Sequence, residues 1–165
     1  MTIFARSVPV FIHGLSAMSK ILEKAEADCA ARRIDPTVLL TDRLYPDMLP
    51  FTRQIQIAAD HARRGAARLA GTEPLAIPDT ETSFAALRER IARTNEELGK
   101  FAPGQFADAG TRPVTIKAGP HEMTFTGDDY LSLYVLPNFY FHLTVAHCIL
   151  RANGVPIGKG DFLGA

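Results

Sequence analysis

Four stretches of this 165-residue chain repeat apolar side chains at the three- and four-residue spacing of an α-helix, and this pattern constrains the fold most. The first stretch carries Val8, Phe11, Leu15, Met18, Leu22 and Ala25. The second is predicted to run from about Asp47 to Leu69 and carries Met48, Phe51, Ile55, Ala59, Ala62, Ala66 and Leu69. Each such helix has one apolar face to bury, so the helices are expected to pack together as a bundle.

Two further helices and a hairpin complete the predicted order. Phe84, Leu87, Ile91, Thr94 and Leu98 mark a third helix, capped near Thr80 or Thr82 and ending around Gly99. The fourth is predicted from Tyr130 to Ala152, and Pro137 should kink or break it. Between them, residues 114–117 and 122–125 alternate in polarity around a Gly-Pro turn and predict a β-hairpin. The expected fold is one all-α four-helix-bundle domain over residues 1–165, with a small hairpin before the last helix.

Composition excludes several classes of partner. Lys plus Arg equals Asp plus Glu at 18 each, so no overall charge attracts nucleic acid or an anionic membrane. The pattern predicts no signal peptide, and no apolar run approaches the roughly 18 residues of a membrane span. Cys29 and Cys148 are the two cysteines and are expected to be free thiols. We expect a soluble cytoplasmic protein with no nucleic-acid or membrane partner.

His61 and His142 are the strongest candidates for a functional site. On a helical wheel, His142 shares the inward side of the fourth helix with Phe139 and Ala146, whereas His61 lies between the apolar and charged arcs of the second helix. Bundles assemble ligand and metal sites from such facing helices. Each histidine could instead be a hydrogen-bonded structural residue. A divalent metal such as zinc or nickel is a third interpretation, although position 146, four residues after His142, holds alanine.

Other candidate motifs have simpler interpretations. The Arg63-Arg64-Arg68 cluster is predicted to be a solvated face, and Asp128-Asp129 a helix start. The glycine-rich segment 154–160 lacks the spacing, the Ser or Thr and the following helix of a phosphate-binding loop. It is expected to return the C-terminal tail to the bundle through Ile157 and Phe162.

Four segments together resemble a known family. They are Arg43–Pro50, Gln54–Gln56 with Ala59–Ala62, Leu136–His142 and Gly154–Gly164. They are similar to a domain-of-unknown-function family in the DinB/YfiT-like superfamily of four-helix-bundle metalloenzymes, over about residues 3 to 164. This resemblance implies a DinB-like bundle with a long crossover and a homodimer.

The resemblance also implies a candidate metal site. Superfamily members typically hold a divalent metal with three histidines, one on the second helix and a pair four residues apart on the last. By position, His61 matches the second-helix ligand and His142 one of the last-helix pair. The remaining ligand would fall at Ala146 or Asn138, and neither is a histidine. Some relatives transfer low-molecular-weight thiols such as bacillithiol or mycothiol.

These observations support three hypotheses about function. The first is a bundle that binds a small molecule, or weakly a divalent metal, in a pocket near His61, Asn138, Phe139 and His142. The second is a metal-dependent transferase or hydrolase related to the DinB-like thiol transferases. The third is a non-catalytic dimeric interaction module that has lost the metal site. The residues alone leave open whether the protein is an enzyme.

Overall fold

Helices form nearly all of the fold. A computed structural model describes residues 1–165, except for the side chain of Ala118. The elements are α1 (Ile3–Arg32), α2 (Pro36–Thr41), α3 (Phe51–Ala70), α4 (Phe84–Gly99), β1 (Pro113–Ala118), β2 (His121–Thr126), α5 (Gly127–Asp129), α6 (Leu136–Ala152) and α7 (Lys159–Leu163). A 3₁₀ turn spans Pro103–Phe106, and a π-helical segment, Tyr130–Val135, joins α5 to α6. The predicted all-α bundle with a small hairpin is confirmed.

The apolar stripes lie where their spacing predicts. The predicted core positions of α1 are each no more than 2% exposed: Val8, Phe11, Leu15, Met18, Leu22 and Ala25. The six predicted positions of α3 from Phe51 onward are equally buried. The hairpin strands pair antiparallel, with Val114 opposite Phe125, and Val114 and Ile116 of β1 enter the core. Burial of one face per helix therefore accounts for the bundle.

The connection between α3 and α4, residues 71–83, is the long crossover. The Phe51 ring, at the start of α3, lies 6.0 Å from the Phe84 ring, at the start of α4. Near the middle of both helices, Arg90 forms an ion pair with Asp60 at 2.9 Å. The two helices therefore run parallel, and the chain must travel back along the bundle between them.

Two helix starts differ from the sequence prediction. Helix α3 begins at Phe51 rather than near Asp47, because Leu49 precedes Pro50 and a residue before proline avoids the helical region. The guanidinium of Arg43 donates to the Met48 carbonyl and holds these residues in a turn. Helix α4 is capped by Ser83, whose side chain accepts from the Ala86 amide, rather than by Thr80 or Thr82.

The sequence predicts a kink or break at Pro137, but the last helix is not broken there. The helix continues from Gly127 to Ala152, with the π-helical segment immediately before the proline turn. A proline ring clashes with the carbonyl four residues earlier, here that of Leu133, and the wider π turns relieve that clash. The proline therefore produces a local widening and leaves one helix.

This last helix is also the most apolar long segment of the fold. By length and composition Gly127–Ala152 could cross a membrane, with a mean hydropathy of 1.3 over its most apolar window. It is nevertheless a bundle helix, because Leu143, Ala146, Ile149 and Leu150 are all buried in the core.

The C-terminal tail returns to the bundle, as expected from its sequence. Ile157 is buried, and Phe162 packs against the core. The tail is held to α1 by an ion pair between Lys24 and Asp161 and by a contact of His13 Nε2 with the Leu163 carbonyl oxygen at 2.9 Å. The tail thus covers one side of α1.

Helix α3 and the π-helical segment approach closely at Gly65. A Cβ atom at this position would lie 2.6 Å from Val135 Cγ1, inside van der Waals contact. Glycine is therefore required here by packing, since no larger residue leaves room for the valine.

We expect Gly65→Ala to lower the free energy of unfolding by about 1–3 kcal/mol, because the added methyl overpacks against Val135. Chemical denaturation followed by circular dichroism measures the change. Gly99→Ala is the matched control, because nothing lies within 4 Å of a Cβ there and alanine favours a helix. The double variant Gly65→Ala, Val135→Ala should recover part of the loss. Equal effects of the two glycine substitutions would contradict the packing explanation.

Candidate functional site

His61 of α3 and His142 of α6 stack against each other. Their ring centroids lie 6.0 Å apart with an interplanar angle of 15°. The Tyr134 ring, from the π-helical segment, meets His61 edge-on at 5.7 Å. Both histidines are partly exposed. The structure therefore brings together the two histidines that the sequence singled out, from antiparallel neighbouring helices.

Two hydrogen bonds of Gln54 fix the tautomer of His142. The Gln54 amide nitrogen donates to the Leu49 carbonyl at 2.8 Å, which orients the Gln54 amide oxygen as an acceptor. That oxygen lies 2.7 Å from His142 Nδ1, so Nδ1 carries the hydrogen and donates it. In the neutral ring, Nε2 therefore keeps its lone pair. Gln54 is 1% exposed, which holds this arrangement rigid.

Both imidazoles are neutral near pH 7. The pKa of His61 is lowered from 6.5 to about 4, chiefly by burial; His142, Arg64 and Arg68 act in the same direction, and Asp60 opposes them. Burial also lowers the pKa of His142. A neutral imidazole offers one hydrogen-bond donor and one acceptor.

A cleft of about 250 Å³ opens beside His61. Helix α3 supplies most of its wall, the hairpin and the π-helical segment cover it, and the crossover closes one end. The lining residues are Arg53, Ile57, Asp60, His61, Arg64, Arg68, Asp79, Ile116, Lys117 and Tyr134. His142 stacks behind His61 and is not among them. Ile57, His61, Arg64 and Arg68 follow one another at four, three and four residues, so they share one face of α3.

One wall of the cleft is a buried ion network around Arg90. Its guanidinium is fully buried and pairs with Asp60, Asp79 and Glu81 at 2.9–3.0 Å. It also donates to the Pro78 carbonyl. The network joins α3, α4 and the crossover, and it orients the carboxylate next to His61.

The sequence predicts that the arginine cluster of α3 is a solvated face, but only part of it is exposed. The side chain of Arg63 is 3% exposed, because α4 and the crossover cover it, and it pairs with Asp60 at 2.9 Å. Arg64 is half exposed and pairs with the other oxygen of Asp60 at 2.8 Å. Arg68 is partly exposed and donates to the Tyr130 hydroxyl at 3.0 Å. The cluster therefore divides into a buried member and two that line the cleft.

The other two predicted pocket residues lie elsewhere. Phe139 is fully buried toward α1, with its ring 5.2 Å from that of Phe11 and close to Gly14. Asn138 uses its side-chain amide to donate to the Tyr134 carbonyl within its own helix. Neither side chain lines the cleft.

The residues present do not fit the three-histidine metal site of the superfamily. Ala146 is fully buried and supplies no ligand atom, and Asn138 is engaged with its own helix. Throughout the described part of the chain, no group of three His, Cys, Asp or Glu residues is placed to hold a metal. Zinc centres usually need at least three protein ligands. Two imidazoles fall short of that number.

We expect His61 to make stability depend on pH. Its folded pKa of about 4 lies below the ordinary 6.5, so the unfolded chain binds more protons between those values. The contribution of His61 to the free energy of unfolding is complete above about pH 6.5 and is lost as the pH falls toward 4. The loss is up to about 3 kcal/mol. Denaturation of wild type and His61→Gln at pH 7.5 and 4.5 measures the difference.

The variant should lose less stability than wild type over this range. His121→Gln, at an exposed histidine of β2, should retain the wild-type dependence. An unchanged dependence in His61→Gln would show that the imidazole is not buried as described.

Comparisons with known proteins agree on one family. The family model described as "Domain of unknown function (DUF1993)" matches residues 3–163. The crystal structure of a DinB family member protein from Shewanella denitrificans superimposes with a TM-score of 0.92 at 38% identity, covering 98% of this chain and 92% of that chain. No curated protein matches the sequence. The chain therefore belongs to the DUF1993 family and has the DinB-like fold.

Proposed function

We propose that this protein binds a small organic molecule in the cleft beside His61. The observation that carries the proposal is a neutral, partly exposed imidazole forming the wall of a 250 Å³ concavity. Ligand sites commonly combine a concave shape with a few polar groups held in place. His61 is the group that would exchange hydrogen bonds with the ligand.

The surroundings of His61 support binding because they are preorganised. Hydrogen bonds from Gln54 to the Leu49 carbonyl and to His142 hold the His142 ring behind His61. The Tyr134 ring packs beside His61. A side chain fixed in this way loses little conformational freedom when a ligand arrives. His142 is therefore a positioning residue in this proposal, and it acts through His61.

Binding is favoured over proton-transfer catalysis by the basicity of His61. A general base works best when its pKa lies near the operating pH. A pKa of about 4 makes His61 a weak base at neutral pH. Metal-dependent transfer or hydrolysis, the second hypothesis, would need a third ligand that is absent from the described residues. The proposal therefore assigns the cleft to recognition.

We place the protein in the cytoplasm, where the free thiols of Cys29 and Cys148 would stay reduced.

The test is a screen of neutral fragments by NMR, with the His61 and Tyr134 ring resonances as reporters. Fragments that bind wild type at the cleft should lose about tenfold or more in affinity in His61→Ala, because the ring supplies both the wall and the polar contact. His13→Ala is the control and should bind as wild type does. Absence of any fragment that shifts the His61 resonances would contradict the proposal.

A zinc arm tests the metal alternative. Wild-type protein purified without a tag or chelator is incubated with zinc and desalted, and its metal content is measured. Two imidazoles should retain far less than one zinc per chain. One zinc per chain, lost in His61→Ala, would contradict the metal-free proposal.

Self-association is a second property that we propose, on the apolar outer face of the last helix. Leu133, Tyr140 and Phe141 are 68%, 41% and 56% exposed. Leu133 and Tyr140 are seven residues apart and share one face, with Pro137 between them. Exposed apolar faces of this kind often mark protein interfaces, and the family resemblance implies a homodimer.

We expect light scattering at micromolar concentration to give the mass of a dimer. Leu133→Glu with Tyr140→Glu should give a monomer, because two charges would be buried in the contact. Leu75→Glu, at an exposed leucine of the crossover, is the matched control and should remain dimeric. A monomeric wild type would remove the proposal.

A further inference from the structure

We propose that the ligand of the His61 cleft is a compact organic anion, whose carboxylate or phosphate group is bound by Arg64, Arg68 and Lys117. This inference rests on the proposed small-molecule function and names the class of ligand. It is drawn from the distribution of charge around the cleft, from the pairing of each arginine, and from the shape of the cavity.

Positive charge is concentrated at this cleft in a chain that is neutral overall. Four cationic side chains, Arg53, Arg64, Arg68 and Lys117, line the cleft against the two carboxylates of Asp60 and Asp79. The charge excess is therefore a local feature that folding creates. A concave, low-dielectric surface of one sign focuses its field on ligands of the other sign.

Both carboxylates that line the cleft are shared among several cations. Asp60 pairs with Arg63, Arg64 and Arg90 at 2.8–2.9 Å, so one negative charge meets three positive ones. Asp79 pairs with both Arg90 and Arg53. These carboxylates are therefore outnumbered by the cations that they contact, and neither of them contacts Arg68 or Lys117.

Arg68 and Lys117 face the cleft without an acidic partner. Among the described residues, no carboxylate lies within 4.0 Å of either side chain's nitrogens. Glu122 stands opposite Lys117 in the hairpin but forms no such pair. Arg68 is held in place by the hydroxyl of Tyr130, which is itself 1% exposed. A guanidinium fixed by a neutral hydroxyl keeps its other N–H groups for an oxyanion.

The remaining walls define the rest of the ligand. Ile57 and Ile116 give the cleft two aliphatic contacts, and His61 gives it a neutral polar one. Its volume of about 250 Å³ lies below the roughly 300–1,000 Å³ of sites for drug-sized ligands. These features fit a short apolar body with one anionic end. They do not fit a polynucleotide, which needs an extended basic surface.

Butyrate and its neutral isostere butyramide test the inference, because they differ chiefly in charge. Butyl phosphate provides the phosphate arm. Each is titrated at pH 7.5 and constant ionic strength into the full-length protein, and the His61 and Tyr134 ring resonances are followed by NMR. At least one anion should bind saturably at the cleft, about tenfold or more tighter than butyramide. The tighter anion identifies the preferred group.

Variants separate the cleft cations from general surface charge. Arg64→Gln with Arg68→Gln should weaken anion binding about tenfold or more, and Lys117→Gln should weaken it to a smaller extent. Arg93→Gln, at an exposed arginine of α4, should leave it unchanged. Circular dichroism verifies that each variant is folded. If the double variant does not fold, Lys117→Gln still tests the inference, because Lys117 lies in the hairpin and outside the ion network.

Three results would overturn the inference in distinguishable ways. Butyramide binding at His61 as tightly as the anions would remove the anionic class and leave the proposed small-molecule site intact. Anion binding that the double variant and Lys117→Gln both leave unchanged would assign that binding to other surface charges. If none of the three probes shifts the His61 resonances, the anion inference fails, and the neutral-fragment screen decides separately on the cleft itself.

Discussion

The ion network of Arg90 is the interaction on which the arrangement of this bundle depends. A buried guanidinium carries a large desolvation cost unless its donors are paired. The two terminal nitrogens of Arg90 are paired with Asp60, Asp79, Glu81 and the Pro78 carbonyl. These partners come from α3 and from the crossover, while Arg90 itself comes from α4. The network therefore holds the crossover along two parallel helices that no short loop could connect. Because Asp60 is adjacent to His61, the same contacts fix the face of α3 that lines the cleft.

Close approach of α3 and the last helix supplies the second half of the site. Gly65 admits Val135 into the space of a missing side chain, and the π-helical segment accommodates Pro137 without ending the helix. This geometry brings both Tyr134 and His142 against the His61 ring. The Gln54 hydrogen bond then sets the tautomer of His142. Backbone packing and side-chain chemistry are thus linked, since a shift of either helix would separate the rings.

A DinB-like fold does not by itself carry a DinB-like metal site. The fold is retained over nearly the entire chain, but neither Ala146 nor Asn138, the two positions where the resemblance would put the remaining ligand, is a histidine. What the bundle keeps is a concavity between α3, the hairpin and the last helix, lined by a neutral histidine and by arginines. Function resides in such sites rather than in the fold. The change from metal ligation to recognition of an anion would therefore need no change in architecture.

The sequence by itself determined the four helices, the hairpin and the tail that returns to the bundle, because their signals are local. Helical spacing placed the stripes of α1 and α3 in the core, and the same spacing would have linked His61 to Arg64 and Arg68, which we had assigned to a solvated face. Tertiary structure alone decided which arginines are buried, that Phe139 faces α1, and that Lys117 and Tyr134 reach the cleft. It also decided where α3 begins and how Pro137 is accommodated. These features depend on which surfaces pack together over long separations in the chain, and no repeat within a single helix encodes that choice.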